Sequence, residues 1–341
     1  MELKKEDIIK VLENNTVWFE ALYENLIHKG RFDDIADEIV KLTIPVVIVS
    51  DFCECEGELS GGKIADAGSK INVLSLFDGK SCGQIALDKL GIEVDNYFAS
   101  EIDKYAIQVT KHNYPNTKHI GDVTKVKGAD LPKIDLLIGG SPCQGFSFAG
   151  KQLNFDDPRS KLFFEFVRLL EETKPKYFLL ENVKMKKEYE QVITDLLGVE
   201  PILINSALVS AQNRKRLYWT NIPNITHPKD KGLFLKDIIE KGSGKLLTDV
   251  TAKRPRTLRN FRRLDQKAFC MLATMYKLSQ SNGMTVIDDN GLRCISPIEC
   301  ERLQNVPDNY TACVSNTQRY KMLGNGWTVD VIAHIFSQMA L

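Results

Sequence analysis

Ile71-Asn72-Val73-Leu74-Ser75-Leu76-Phe77-Asp78-Gly79-Lys80-Ser81-Cys82-Gly83 decides the fold. Its first seven residues are a short apolar run of β type, and Asp78-Gly79 breaks it. Ser81–Leu90 follows with helical spacing at Ile85, Leu87 and Leu90, and Gly91 closes it. The same alternation continues downstream. Asn96–Ser100 reads as a strand, Lys104–Asn113 as a helix, His119–Val123 as a third strand and Lys133–Ile138 as a fourth ending in Gly139-Gly140. Leu162–Leu170 reads as a helix and Tyr177–Leu180 as a fifth strand. Strands alternating with helices predict βαβ units and an α/β, doubly wound, Rossmann-like parallel sheet. Right-handed crossovers then put the loops after the strands on one edge, where ligands bind.

That edge collects Phe77-Asp78-Gly79, Glu101, Asp122, Ser141-Pro142-Cys143-Gln144 and Glu181-Asn182-Val183. Gly79 lets a ligand approach the backbone, because no Cβ intervenes. The turn is not GxGxxG, since Ser81 and Cys82 stand where glycines would, so a pyrophosphate cradle and a nicotinamide oxidoreductase are poorly supported. Glu101 ends the second strand 22 residues after Gly79, where an acid binds ribose hydroxyls. Asp122, at the end of the third strand, can accept from an adenine amino group. The set fits an adenosine ligand without a phosphate chain and favours S-adenosylmethionine over NAD, although each element alone also reads as an ordinary turn.

Around this region the chain divides. Residues 1–70 carry 8 basic and 15 acidic side chains, and 4–42 read as two amphipathic helices before a Gly/Ser-rich stretch at 57–69. They are expected to form an acidic appendage and linker. Residues 251–267 carry seven basic side chains against Asp265, a local block that suits a polyanion or a solvated loop. The whole chain of 341 residues has 45 basic and 45 acidic groups and is 43% hydrophobic, which excludes a disordered tail and a disulfide miniprotein. No apolar run approaches membrane length and no secretory signal opens the chain, so a cytoplasmic protein with reduced thiols is expected. The eight cysteines form no CxxC pair, and Cys53-Glu54-Cys55 alone does not define a metal site; none is expected.

Cys143 sits among turn-formers and polar residues, which favours exposure at the sheet edge over the inert burial usual for cysteine. Its thiolate would be the nucleophile. No histidine pairing is evident, so a papain-like protease is unsupported. A thiol beside the carboxyl of Glu181 suits one chemistry well. Thiolate addition at carbon 6 of a pyrimidine makes carbon 5 nucleophilic, a neutral Glu donating to nitrogen 3 stabilises the adduct, and a methyl sulfonium supplies the electrophile.

The ordered set resembles the cytosine-5 DNA methyltransferase family. It comprises Phe77-Asp78-Gly79, Gly140-Ser141-Pro142-Cys143-Gln144-Gly145-Phe146-Ser147, Glu181-Asn182-Val183, Gln212-Asn213-Arg214-Lys215-Arg216 and Gly324-Asn325-Gly326-Trp327, with Arg302-Leu303-Gln304 and Pro307. The resemblance runs from about residue 71 to the end. Residues 162–223 are similar to the animal de novo branch, within a prokaryotic or phage-like architecture. It implies Cys143 as nucleophile, Glu181 as nitrogen 3 donor, Arg216 on the base's carbonyl oxygen and Arg214 supporting the loop after Cys143. It implies a cofactor site from Phe77, Asp78, Gly79, Ser81, Glu101, Ile102, Asp122, Val123, Asn325 and Trp327. DNA contacts would come from Gln144, Ser147 and the basic residues Arg254, Arg256, Arg259, Arg262 and Arg263. It further implies a catalytic domain over 71–223, a small target-recognition region over 224–290 and C-terminal helices over 291–341 that complete the catalytic domain. The partner would be double-stranded DNA flipped at the target base; a restriction endonuclease partner is compatible, and a monomer is favoured. Two departures stand out: Lys80-Ser81-Cys82 where many relatives carry more glycine, and the motif around Trp327, which differs from the commoner Asn-Ser form. An inactive DNA-binding homologue and a tRNA methyltransferase are the alternatives.

Near the C-terminus, Ser296-Pro297-Ile298-Glu299 reads as a capping box with proline at the first helical position. The last helix, about 328–339, is expected to pack beside the first helix and bring Asn325 to the cofactor.

Overall fold

The structure is a computed structural model, and it describes residues 70–141, 158–240, 242, 244–247, 261–277, 284–288 and 291–341. The two N-terminal helices, the linker, Cys143, Gln144, Ser147, Arg254, Arg256 and Arg259 lie outside the described residues.

Strand β1 (Ile71–Leu76) is almost wholly buried and lies in the interior of a seven-stranded sheet. It pairs in parallel with β2 (Val94–Ser100) on one side and β4 (Leu136–Gly139) on the other, and β4 pairs in parallel with β5 (Tyr177–Val183). The chain therefore moves outward from β1 to β2 and β3 (Lys118–His119), then returns to the other side of β1. This is the strand-order reversal that opens a crevice beyond the carboxyl ends of β1 and β4.

Beyond β5 the sheet departs from the expected parallel pattern. Strands β6 (Ile202–Asn205) and β7 (Lys215–Thr220) form an antiparallel pair, and β7 is inserted antiparallel next to β5, in the order β3-β2-β1-β4-β5-β7-β6. The sheet is mixed. The reversal has a direct consequence: the first residues of β7 lie beside the last of β5, with Arg216 opposite Val183. Arginines from the 212–216 segment thus arrive at the same edge as the parallel strands' loops.

The third strand is also shorter than expected. It ends at His119, because Gly121 turns into the left-handed region at φ +74° and Asp122 instead caps a single 3₁₀ turn, Val123–Lys125. The helices follow their local signals. Helix α1 (Cys82–Lys89) follows the turn after β1, and α2 (Lys104–Asn113) has the expected bounds because Asp103 accepts from the N–H groups of Tyr105 and Ala106. Helices α3 (Pro158–Thr173) and α4 (Lys187–Leu197) cover one face through Phe163, Phe166, Ile193 and Leu197.

The C-terminal part contributes α5 (Pro297–Leu303), α6 (Asn316–Asn325) and α7 (Val329–Phe336). The capping box at Ser296 and Glu299 forms as read, with Pro297 at the first position. Helix α7 packs on α1 over the other face of the sheet through Val331, Ile332, Ile335 and Phe336. A separate three-stranded sheet, β8 (Phe261–Arg262), β9 (Thr285–Asp288) and β10 (Gly291–Cys294), lies over a third apolar cluster that includes Met271, Met284 and Ile295. Buried Arg293 joins this sheet to α5: its guanidinium donates to Glu299 at 2.7 and 2.9 Å and to Asp288 at 2.5 Å.

Candidate active site

The turn after β1 is built by alternation. Phe77, Gly79 and Ser81 all lie in the left-handed region, at φ +56°, +60° and +60°. Two of these are not glycine, so the conformation must be held from outside. Asp78 does this. Its buried carboxylate accepts from Ser75 Oγ at 2.6 Å, from Tyr97 Oη at 2.8 Å and from Ser81 Oγ. Burial outweighs these three donors and pushes the Asp78 carboxyl up to about 6.

Glu101 secures the other side. One oxygen accepts from Gly79 N at 2.8 Å, and the second accepts from Ile102 N and Asp103 N, both at 2.7 Å. The carboxylate is thereby fixed at the mouth of the crevice, with lone pairs left for hydroxyl donors.

Across the crevice stands the chemical half. Gly139 pairs with Leu180, which brings Gly140 alongside Glu181. The Glu181 carboxylate is about 10% exposed; Arg216 Nε lies 2.9 Å from Oε1, and Trp327 Nε1 donates to Oε2 at 3.0 Å. A Cβ on Gly140 would come within 2.9 Å of Trp327 Nε1 and 3.1 Å of Glu181 Oε2, so this pair needs a bare backbone beneath it. Burial lowers the Arg216 pKa, but the Glu181 charge beside it prevails, and the guanidinium stays charged above its ordinary value. Asn182 turns inward and donates to Ser141 Oγ at 3.2 Å, which ties β5 to the segment just after β4.

Arg214 plays another part. It is buried and donates to the carbonyls of Met271 at 3.0 Å, Gly324 at 3.2 Å and Gly326 at 2.8 Å. Burial, then the neighbouring Arg216 charge, lowers its pKa. Its Nε has no partner among the described residues, and the side chain stands in the wall of the cleft.

These groups line one cleft of about 660 Å³, within the usual range for a small-molecule site. Phe77, Asp78, Gly79, Glu101, Asn325 and Trp327 stand in its wall with Glu181, Arg214 and Arg216. Four of the expected cofactor residues do not. Ser81 is turned into the protein, against Asp78 and Thr110. Val123 is buried in the core, Asp122 spends one oxygen on the Thr124 N–H and hydroxyl, and Ile102 stands 77% exposed next to Glu101. Arg262 and Arg263 lie away from the cleft lining: the Arg262 guanidinium stacks 3.5 Å over Phe269, and Arg263 pairs with Asp265 in solvent.

The wall also holds residues outside the expected set, Cys270 and Lys80 among them. Cys270 lies 3.5 Å from an Arg214 nitrogen and 4.0 Å from one of Arg216, and nothing in its sequence surroundings marks it. Lys80 was visible only as an oddity of the turn.

The donor set suits an adenosine bearing an amino acid. It offers a fixed carboxylate for hydroxyls, an exposed aliphatic residue beside it, and a buried cation further in at Lys80. The sheet order, the acid after the second strand and the carboxylate–guanidinium pair across the crevice define a class, the α/β methyltransferases that use S-adenosylmethionine. The chain belongs to the C-5 cytosine-specific DNA methylase family, whose profile matches residues 71–250 and 239–340. It is 32% identical over 306 residues to the type II methyltransferase M1.ScrFI of Lactococcus lactis subsp. cremoris, covering 80% of this chain and 78% of that one. It is 31% identical to the type II methyltransferase M.NlaX of Neisseria lactamica, over 78% of this chain and 95% of the relative. Among solved structures, methyltransferase EhMeth of Entamoeba histolytica superposes with a TM-score of 0.69 at 18% identity, covering 80% of this chain and 98% of that one, a likeness of fold. The protein is a DNA cytosine-5 methyltransferase. No helix among the described residues is long and apolar enough to cross a membrane.

Proposed function

We propose that the cleft methylates carbon 5 of a cytosine turned out of double-stranded DNA, through a covalent adduct between Cys143 and carbon 6. The observation that carries this is the Glu181 carboxylate, clamped by Arg216 and Trp327 in the wall that the cofactor residues share.

The base must leave the helix, at a cost of about a few kcal/mol, because a side chain cannot reach carbon 6 inside the stack. Glu181 meets its ring edge. Each carboxylate oxygen already takes one donor and keeps a further lone pair, so the cytosine amino group finds an acceptor there and nitrogen 3 finds a proton partner. Glu181 takes up a proton from solvent as the base binds; thiolate attack by Cys143 then pushes electron density onto nitrogen 3, and that proton passes towards nitrogen 3 and neutralises it. Arg216 stays charged throughout and faces the electron-rich side of the adduct. S-Adenosylmethionine, when bound, supplies an electrophilic methyl group. Carbon 5 would take that methyl group as the thioether leaves, and loss of the carbon 5 proton to solvent would then expel the Cys143 sulfur and restore the ring.

The test is methyl transfer from radiolabelled S-adenosylmethionine, with duplex DNA and tRNA offered in parallel. Wild type is expected to label duplex DNA, and Cys143→Ser to lose the label while still binding S-adenosylhomocysteine. Activity that survives this change would refute the covalent route, and labelling of tRNA alone would refute the choice of substrate. Bisulfite sequencing of the labelled DNA then reads the target site.

A further inference from the structure

Lys80 is an anomaly in charge. It follows Gly79 in the turn after β1, and its side chain is 1% exposed. Among the described residues it makes no ion pair, and the acceptor its ammonium reaches is Cys82 Sγ, at 3.2 Å. Asp78, two residues away, is satisfied by three hydroxyls instead. A buried ammonium whose neighbour is a thiol has given up water without receiving an anion, an arrangement proteins rarely keep without use.

The position of the charge is informative. The Lys80 chain reaches the Gly324-Asn325-Gly326 turn, where a Cβ on Gly326 would fall 2.0 Å from Nζ and 3.4 Å from Cε. Gly326 lies at φ −76°, so no backbone strain demands a glycine there; a side chain at 326 would displace the ammonium and would also press on the Met322 carbonyl at 3.1 Å. The two positions are therefore sterically linked: the lysine head occupies the room a side chain at 326 would take. Both residues stand in the wall of the cleft, beside Asn325 and Trp327.

We propose that the Lys80 ammonium anchors the α-carboxylate of the cofactor's amino-acid part, and that Gly326 is bare to leave room for it. This rests on the methyl-donor reading of the cleft. An adenosine-linked amino acid carries one anionic group, its carboxylate. A cation already stripped of water is preorganised for that group, since little solvent remains to be displaced at the moment of binding.

Binding by the full chain, measured calorimetrically, separates the roles. S-Adenosylhomocysteine carries the carboxylate, whereas 5′-methylthioadenosine keeps the nucleoside and the sulfur without the amino acid. Lys80→Met, close in volume, is expected to weaken S-adenosylhomocysteine by about 10- to 100-fold and 5′-methylthioadenosine by less than about threefold. Equal weakening of both ligands, or none, overturns the assignment. Decarboxylated S-adenosylhomocysteine against the wild-type protein gives the same answer whether or not the variant folds: it should bind about 10- to 100-fold more weakly than the parent ligand, and equal affinity overturns the anchor. A wild type that binds none of these ligands overturns the methyl-donor reading and the anchor together; one that binds them all without regard to the carboxylate overturns the anchor alone.

Discussion

Trp327→Phe isolates one hydrogen bond in the reacting centre. The indole Nε1 donates to Glu181 Oε2 at 3.0 Å, while Oε1 is held by Arg216. Phenylalanine keeps an aromatic ring in the cleft wall but loses the donor together with part of the bicyclic indole. A hydrogen bond to a charged group contributes about 1.5–3 kcal/mol when nothing replaces it. The cleft admits water to Oε2, so roughly 1–2 kcal/mol remains once water has partly substituted. That corresponds to about a 5- to 30-fold fall in kcat. The assay is steady-state methyl transfer to unmethylated DNA, with exchange of the carbon 5 hydrogen measured separately as a report on thiol addition. Both should fall together, while S-adenosylhomocysteine affinity stays within about threefold because the ring is kept. Gly140→Ala attacks the same contact from beneath, since its Cβ would lie 2.9 Å from Nε1 and 3.1 Å from Oε2. If both changes act through one lesion, the double variant loses clearly less than the sum of the two singles. An unchanged kcat with a raised KM for the cofactor would show that Trp327 only walls the cofactor site, and the reasoning would fail.

Two further outcomes follow from charge. The folded-state pKa of Asp78, at about 6, lies above its ordinary 3.8, so the folded protein holds this proton more tightly than the unfolded chain does. Stability from the group is therefore complete below about pH 3.8 and is lost as pH rises through 6, by on the order of 3 kcal/mol in all and about half of that between pH 5 and 7. Urea unfolding of wild type and Asp78→Asn across this window should show the variant gaining on wild type as pH rises; a constant difference would contradict the burial argument. For DNA, charge reversal of Arg262 and Arg263 together should weaken binding and reduce the slope of log affinity against log salt by about two. Arg262 should account for the larger share, because Arg263 is already paired with Asp265. An unreduced slope would remove both from the phosphate-facing surface.

Much of the frame was legible because local signals and tertiary demands agree there. Ile71–Leu76 is apolar at four of its six positions since β1 is covered on both faces, and Asp103 and Ser296 are residue types that favour helix caps. The misses have physical causes. His119–Val123 has the composition of a strand, but a left-handed Gly121 and the side chain of Asp122 stop it at His119. The direction of β7 is written nowhere in Lys215–Thr220; it is decided by pairing with β5, and only that reversal explains how Arg216 reaches Glu181. Lys80 was passed over because lysine is almost never buried without a partner, so a sequence reading leaves it in solvent by default. Trp327 was placed at the cofactor, yet the bond of its indole nitrogen to a carboxylate 146 residues earlier is a tertiary fact.

The two halves of the site cannot move independently, and the reason lies in one buried set of amides. Gln304 Nε2 donates to the carbonyls of Leu323 at 2.8 Å and Gly326 at 3.1 Å, while its Oε1 accepts from Thr328 at 2.8 Å and from Gln212 at 3.0 Å. Gln212 opens the segment that carries Arg214 and Arg216, and Arg214 returns to the carbonyls of Gly324 and Gly326. The turn that carries Asn325 and Trp327 and the strand that carries Arg216, both in the wall of the cleft, therefore share their hydrogen bonds. Buried amides of this kind are worth having only when fully satisfied, so a shift of the turn would strand donors on the β7 side as well. A bond of 3.0 Å between Trp327 and Glu181 needs placement to a fraction of an ångström, from segments that are far apart in sequence. The shared amides supply that placement, which is why the last fifty residues of the chain return to the sheet rather than ending beyond it.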